Sequence, residues 1–434
     1  MVSNEQLQQR RIAAVPRGVS NLLAVYADHA RNAEVWDVEG RRYIDFASGI
    51  SVLNLGHLHP RAQAAVARQL EKLVHACFQV TPYESYIALA ERLNALAPGS
   101  TPKKTIFFST GAEAVENAVK IARCHTGRSA LIAFGGAFHG RTFMASALTG
   151  KVQPYKGSFG PMPPEVFHVP YPIAYHGVSA DDSLRALDHV FRTDVDASRV
   201  AAIIIEPVLG EGGFYAAPTV FLQKLRQLCD QHGIVLIVDE IQSGFARTGR
   251  LFAIEHAGVE PDLMTVAKSL ADGVPLSAVI GKAPIMDAPA PGGLGGTYAG
   301  SPLGCAAGLA VLDAIREENL AERARVLGER LVNRLRSLQP QFACIGEVRG
   351  LGAMVAMELV RNRDANAPDP DLTKALTQLA GKKGLILLSC GVRSNVIRFL
   401  APLTIEEKLL DEGVDILQEC LRELTSSQRQ AVAG

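Results

Sequence analysis

The sequence predicts an α/β fold, with a mostly parallel sheet covered by helices and a smaller α+β unit beside it. Three observations carry this expectation. Short aliphatic runs such as "VAAIII" and "IVLIV" lack polar alternation, so they read as strands buried on both faces. Amphipathic helical stretches separate these runs, the rhythm of a sheet built by helical crossovers. After Cys305 the texture changes to a long helical stretch followed by isolated strand signals.

The elements follow in chain order. "AEVWDVEGRRYIDFASG" reads as a hairpin turning at Glu39–Gly40. "KKTIFFST" reads as a strand, "AEAVENAVKIARCH" as an amphipathic helix and "SALIAF" as the next strand. "VAAIIIEP", the helix "PTVFLQKLRQLCDQHG", "IVLIVDE" and "DLMTVAK" continue the alternation, and "ADGVPLSA" reads as a small-residue loop. "AAGLAVLDAIREENLAERARVLGERLVNRLRSL" is helical, with a break near Glu318–Asn319. "IGEVRGLGAMVAMEL" and "NVIRFLAP" then read as strands of the smaller unit. The N-terminal hairpin is expected to join that unit. The expected division is therefore discontinuous: an arm and hairpin over 1–55, a large domain over 56–310, and the rest of the small domain over 311–434.

Bulk properties narrow the function. A chain of 434 residues can bury a large core and divide into domains. Lys+Arg and Asp+Glu are both 44, so no charge excess recruits nucleic acid or an anionic membrane. "MVSNEQLQQRR" lacks the apolar core of a secretory signal, and the apolar runs are strand-sized, so no membrane span is expected. The seven cysteines (Cys77, Cys124, Cys229, Cys305, Cys344, Cys390 and Cys420) are odd in number and without metal-type spacing. They point to a reduced, cytoplasmic protein with no metal site rather than a disulfide framework.

In a parallel sheet, ligands bind beyond the carboxyl ends of the strands, and the polar residues of interest sit there. After "FFST", Gly111 permits a tight turn and a helix opens at Ala112, so its amides and dipole suit an anion. Phe138, beyond "SALIAF", could stack on a planar ring. Asp239 ends a buried strand and needs a cation, because an unpaired buried carboxylate costs several kcal/mol. Ile241 can form a wall beside it and Gln242 a hydrogen-bond donor. Lys268 closes another aliphatic strand, where desolvation favours its neutral, nucleophilic amine. Singly, each has a plainer reading: Thr110 as a simple cap, Phe138 as core, Asp239 as a helix cap or a partner of a surface arginine, Lys268 as a solvated charge. Together they make an anion cradle, a stacking aromatic, a buried acid and a desolvated lysine. A phosphorylated pyridine aldehyde uses all four.

These residues and their motifs resemble the class III, or ω-amino acid, aminotransferases, pyridoxal-phosphate enzymes of fold type I. The similarity runs nearly end to end through "FFSTGAEAVENAVKIAR", "FHGRT", "IIIEPVLGEGG", "LIVDEIQSGFARTG", "TVAKSLADGVPLSAVIG" and "GGTYAGSPLGCAA". "FASGI", "HACFQV" and "VIRFLAPL" look most like the bacterial 4-aminobutyrate (GABA) aminotransferases. The resemblance implies a large domain with a sheet of the seven-stranded type. It implies that Lys268 forms a Schiff base with pyridoxal 5′-phosphate and then shuttles the proton. Asp239 would pair with the protonated pyridine nitrogen, Phe138 and Ile241 would sandwich the ring, and Gln242 would reach the ring hydroxyl. Gly111 and Ala112 would present amides to the phosphate. Thr297 resembles a residue that reaches the phosphate from a neighbouring subunit, which implies a homo-oligomer with its active site at a dimer interface.

For substrates, the resemblance gives Arg141 the distal carboxylate of GABA or glutamate, and Arg398 the α-carboxylate of glutamate and 2-oxoglutarate. Glu211 would pair with Arg398 when GABA is bound and swing away for glutamate, eased by Gly210, Gly212 and Gly213. Ile50 stands where ornithine aminotransferases place a tyrosine, and an apolar residue suits the methylene chain of GABA. Cys77 and Phe78 read equally as pocket lining or core, and Glu206 as a structural acceptor or a substrate contact. The expected reaction moves the amino group of GABA to 2-oxoglutarate by a ping-pong route. 5-Aminovalerate, β-alanine or 3-amino-2-methylpropanoate remain open as donors, because one methylene is worth only about 1–3 kcal/mol. An ornithine-type aminotransferase, an aminomutase or a ligand-sensing regulator fits less well. The last would need a DNA-binding module that the N-terminal arm is too short to hold.

Overall fold

The structure, a computed structural model, describes residues 2–433. Near the N-terminus, β1 (Ala27–Arg31), β2 (Glu34–Asp37) and β3 (Arg42–Asp45) form an antiparallel ribbon. Gly40, at φ +79°, makes the turn between β2 and β3. β3 also pairs in parallel with Leu385–Ile386, far along the chain. Ala33, Ile44 and Phe46 accordingly share a core with Leu331, Leu335, Val355, Phe399 and Leu417.

The main sheet has seven strands: β4 (Lys103–Phe108), β5 (Ala130–Phe134), β6 (Val166–Val169), β7 (Val200–Ile205), β8 (Val235–Asp239), β9 (Leu263–Val266) and β10 (Ser277–Lys282). Their spatial order is β4-β10-β9-β8-β7-β5-β6. Four pairings are parallel, and β10 runs antiparallel to both β9 and β4. β7 shows why its sequence does not alternate in polarity. Val200, Ile203 and Ile205 face one core while Ala202 and Ile204 face another, so both faces are covered. The end of the expected loop "ADGVPLSA" opens β10 instead. That strand reads poorly because it is built of small residues squeezed between neighbours: a Cβ on Gly281 would lie 2.3 Å from Leu263 Cδ2.

The helical stretch after Cys305 divides into Pro302–Glu317 and Leu320–Leu338, with Asn319 left-handed at φ 50° between them. The first helix sends Val311, Leu312, Ala314 and Ile315 into the core of the main sheet, so a boundary drawn at 310 cuts through it. The hairpin β11 (Ile345–Leu351) and β12 (Met354–Leu359) pairs with strand Val396–Phe399, placing Ala356 opposite Arg398. No helix among the described residues is long and apolar enough to cross a membrane.

Because β4, β5, β7, β8 and β9 run the same way, their carboxyl ends share one edge. Asp239 ends β8, and Ser109, Phe138, Glu206 and Lys268 lie just beyond the other ends.

Candidate active site

A cavity of about 370 Å³ opens at this edge. It is lined by Gly111, Ala112, Phe138, Glu211, Asp239, Ile241, Gln242 and Lys268, all expected from the sequence. Val52, Ser109, Thr110, His139, Gly140, Glu206 and the loop Gly273–Leu276 complete the wall. Ile50, Arg141 and Thr297 do not line it. All three are exposed in the single chain.

The anion cradle is built by a capping box. Thr110 Oγ1 accepts from Glu113 N, and the Glu113 carboxylate takes the amides of Ser109 and Thr110 at 2.8 Å each. These bonds leave the amides of Gly111 and Ala112, in the first turn of the helix Gly111–Thr126, to face the cavity. Gly111 is required by close approach, since a Cβ there would lie 2.9 Å from Ile241 Cδ1.

The acid pair at the end of β8 is split. Asp239 Oδ2 lies 2.8 Å from His139 Nδ1, and Oδ1 accepts from Ile241 N at 3.1 Å. His139 is the residue that sequence reasoning missed; "FHGRT" contains it, but only the fold brings it to Asp239. Its Nε2 is buried without a partner. Glu240 turns away from the cavity, taking Ser243 Oγ at 2.5 Å and Ile254 N at 2.7 Å. Burial pushes its carboxyl up to about 7. Glu206 accepts the amides of Phe138 and Gly210 at 2.8 Å each, so it acts structurally while also lining the cavity. Burial pushes it, too, up to about 7.

Lys268 holds a left-handed backbone, φ 47°, directly after β9, a strained conformation for a lysine and one typical of functional positions. Burial lowers its pKa, against the opposing pull of Glu211 and the other nearby carboxylates. Gln242 Oε1 is also buried and unpartnered. Free helix amides, an unsatisfied amide oxygen, a carboxylate and an amine converging on one cavity fit a small phosphorylated aromatic aldehyde.

Arg398 and Glu211 form the expected ion pair through both terminal nitrogens of the guanidinium. Burial pulls the Glu211 carboxyl upward, but Arg398 together with Lys268 and Lys151 brings the pKa below the ordinary value. Arg398 Nε is buried without an acceptor, leaving capacity for a ligand carboxylate. Arg141 instead lies over the ring of Tyr155, 5.1 Å from its centroid. That ring sits 4.9 Å from Phe138. Phe78 stacks on Tyr86 at 3.7 Å, and neither Phe78 nor Cys77 reaches the cavity.

The glycines beside Glu211 also have a steric reason. They are packing positions: a Cβ on Gly212 would lie 2.6 Å from Gly136 O, and one on Gly210 would lie 2.5 Å from Gln242 Oε1. Any swing belongs to the Glu211 side chain, not to a loose backbone.

Comparison with known proteins shows the family to which the chain belongs. The profile of the family described as "Aminotransferase class-III" matches residues 14–421. The chain is 57% identical over 422 residues to the 5-aminovalerate aminotransferase DavT of Pseudomonas aeruginosa, covering 97% of this chain and 99% of that protein. It is 54% identical over 423 residues to the 4-aminobutyrate aminotransferase GabT of Escherichia coli K12, covering 98% and 99%. Among solved structures, it resembles the ornithine aminotransferase of Toxoplasma gondii, which has partial occupancy of PLP at its active site. The TM-score is 0.86 at 30% identity, covering 99% of this chain and 97% of that one.

Proposed function

The chain belongs to the class-III aminotransferases, PLP-dependent enzymes, and from that premise we propose that it moves the amino group of 4-aminobutyrate to 2-oxoglutarate. The products are succinic semialdehyde and glutamate. The observation that carries the reading is the ion pair between buried Arg398 and Glu211, whose Glu211 lines the cavity that also holds Lys268 and Asp239. A donor without an α-carboxylate leaves Arg398 no counter-ion of its own, and Glu211 supplies one. An α-amino acid brings its own carboxylate to Arg398, and Glu211 then gives way.

The remaining roles follow from the chain's own groups. The Gly111 and Ala112 amides bind the phosphate, and Phe138 and Ile241 hold the ring between them. Asp239, oriented by His139, holds the proton on the pyridine nitrogen. Gln242 meets the ring oxygen. Bound pyridoxal phosphate supplies the electron sink that stabilises the carbanion left when a C–H bond breaks. Lys268 Nζ takes that proton and returns it two atoms away, on the far side of the nitrogen, a task suited to an amine whose pKa burial has lowered. Arg141 receives the distal carboxylate, Ile50 flanks the methylene chain, and Thr297 reaches the phosphate of a second copy. On this reading the enzyme is a cytoplasmic homo-oligomer, and its seven free cysteines are compatible with a reducing compartment.

A second reading, 5-aminovalerate as the preferred donor, is favoured by the 57% identity to the DavT relative. A panel of ω-amino donors with 2-oxoglutarate separates the two. Without a keto acid, GABA should bleach the yellow absorbance of the holoenzyme, and its kcat/KM should lead the panel. A tenfold advantage for 5-aminovalerate, about 1.4 kcal/mol, would replace the first reading with the second.

A further inference from the structure

We infer that Arg349 is a positioning residue for substrate alternation. On this inference, which rests on the reading above, it clamps the backbone beneath Glu211 so that only the carboxylate moves. Arg349, on β11, donates Nε and Nη2 to Gly213 O at 2.9 and 2.7 Å. Its guanidinium lies 3.7 Å over the ring of Tyr215. Gly213 sits at φ +128°, a conformation that only glycine adopts without strain, and this aims its carbonyl at the guanidinium.

The same arginine reaches the other half of the pair. Arg349 Nη1 holds Glu347 at 2.6 Å and Glu358 at 2.9 Å. Glu358, fully buried on β12, also accepts from the Tyr215 hydroxyl, lies 3.1 Å from His176 Nε2, and takes Asn395 Nδ2 at 3.2 Å. Asn395 leads directly into the strand that carries Arg398. The bases of the Glu211 loop and the Arg398 strand therefore hang from one frame. The loop is closed further by Phe214 N on Leu209 O at 2.7 Å and by Gly391 N on Glu211 O at 2.9 Å. With these backbone contacts held, the coordinate left to move is rotation of the Glu211 side chain. If the frame loosens, Arg398 loses its counter-ion, which matters only for donors that bring no α-carboxylate.

The test uses holoenzyme carrying Arg349→Met or Arg349→Lys. Rapid-mixing absorbance measures the half-reactions of GABA and of L-glutamate separately, with Glu211→Ser as the reference. Hydrogen exchange over residues 207–216 reports the clamp without reference to turnover. Arg349→Met should lower kcat/KM for GABA about tenfold or more and for glutamate less than about threefold, with faster exchange in the loop. Arg349→Lys, which keeps one donor to Gly213, should recover part of both. If Glu211→Ser is selective and Arg349→Met is not, the clamp is wrong and the ion-pair reading stands. If Glu211→Ser is itself unselective, both fall. Should Arg349→Met fail to fold, Tyr215→Phe removes one bond to Glu358 and should show the same selectivity more weakly; equal losses on both substrates overturn the proposal.

Discussion

At the residue scale, the end of β8 shows how one sequence feature resolves into two jobs. Asp239 and Glu240 are adjacent acids after an unbroken aliphatic run; the sequence marks Asp239 as the one at the strand end and leaves Glu240 without a role. The fold supplies it: Asp239 faces the cavity with His139 behind it, and Glu240 faces the protein. Among the described residues no cation pairs with Glu240, and burial raises its carboxyl from 4.5 to about 7. A raised folded-state pKa means the native protein binds the proton more tightly than the unfolded chain. Stability from this group is complete below pH 4.5 and is lost as pH rises toward 7. Glu240→Gln keeps an acceptor and cannot ionise. Its stability relative to the parent should therefore climb by ~1–3 kcal/mol between pH 4.5 and 8. Parallel denaturant titrations of both proteins across that range check this, and a pH-independent difference would contradict it.

At the element scale, strands with fully buried aliphatic runs were legible, and two strands of the main sheet that are short or built of small residues were not. "VAAIII" and "IVLIVDE" announce themselves because both faces are buried. β10 hides because its small residues and position after a loop mimic coil, and β6 because its Val166–Val169 is short and half-exposed. The cradle at Gly111 was legible as strand–turn–helix. That Ile241, from a different strand end, dictates the glycine was not, because a contact between segments 130 residues apart leaves no local mark. The contact is testable. Gly111→Ala must displace the tip of Ile241, a flexible side-chain end, so the fold should tolerate it while the cavity wall shifts. Cofactor affinity, read by titrating apoenzyme with pyridoxal phosphate, should fall about three- to tenfold, ~0.6–1.4 kcal/mol. Ile241→Val in the same chain should restore most of it. Failure of the second substitution to rescue the first would separate Gly111 from Ile241.

At the scale of the whole molecule, the expected site residues divide by where one chain can place them. Those at strand ends of the main sheet converge, because parallel strands deliver their carboxyl ends to one edge. Ile50, Arg141 and Thr297 lie outside the strands of the main sheet and, like Arg398 on its strand of the smaller sheet, stay outside the cavity wall. Thr297 is next to Tyr298, which is 71% exposed, and Val74 and Val80 are 54% and 77% exposed. Apolar surface of this kind is usually covered in an assembly. If a second copy covers it, each site draws Lys268 from one chain and Thr297 from the other. Complementation tests this directly. Lys268→Ala chains lack the amine but retain Thr297; Thr297→Val chains are the reverse. Mixed at random into dimers, half are heterodimers, and each of these has one site with both residues intact, about a quarter of all sites. Activity of the mixture should therefore rise to about a quarter of the wild-type value, above the average of the two parents measured alone. If Thr297 served its own chain, every Lys268-bearing site in the mixture would still lack the threonine, and mixing would recover nothing.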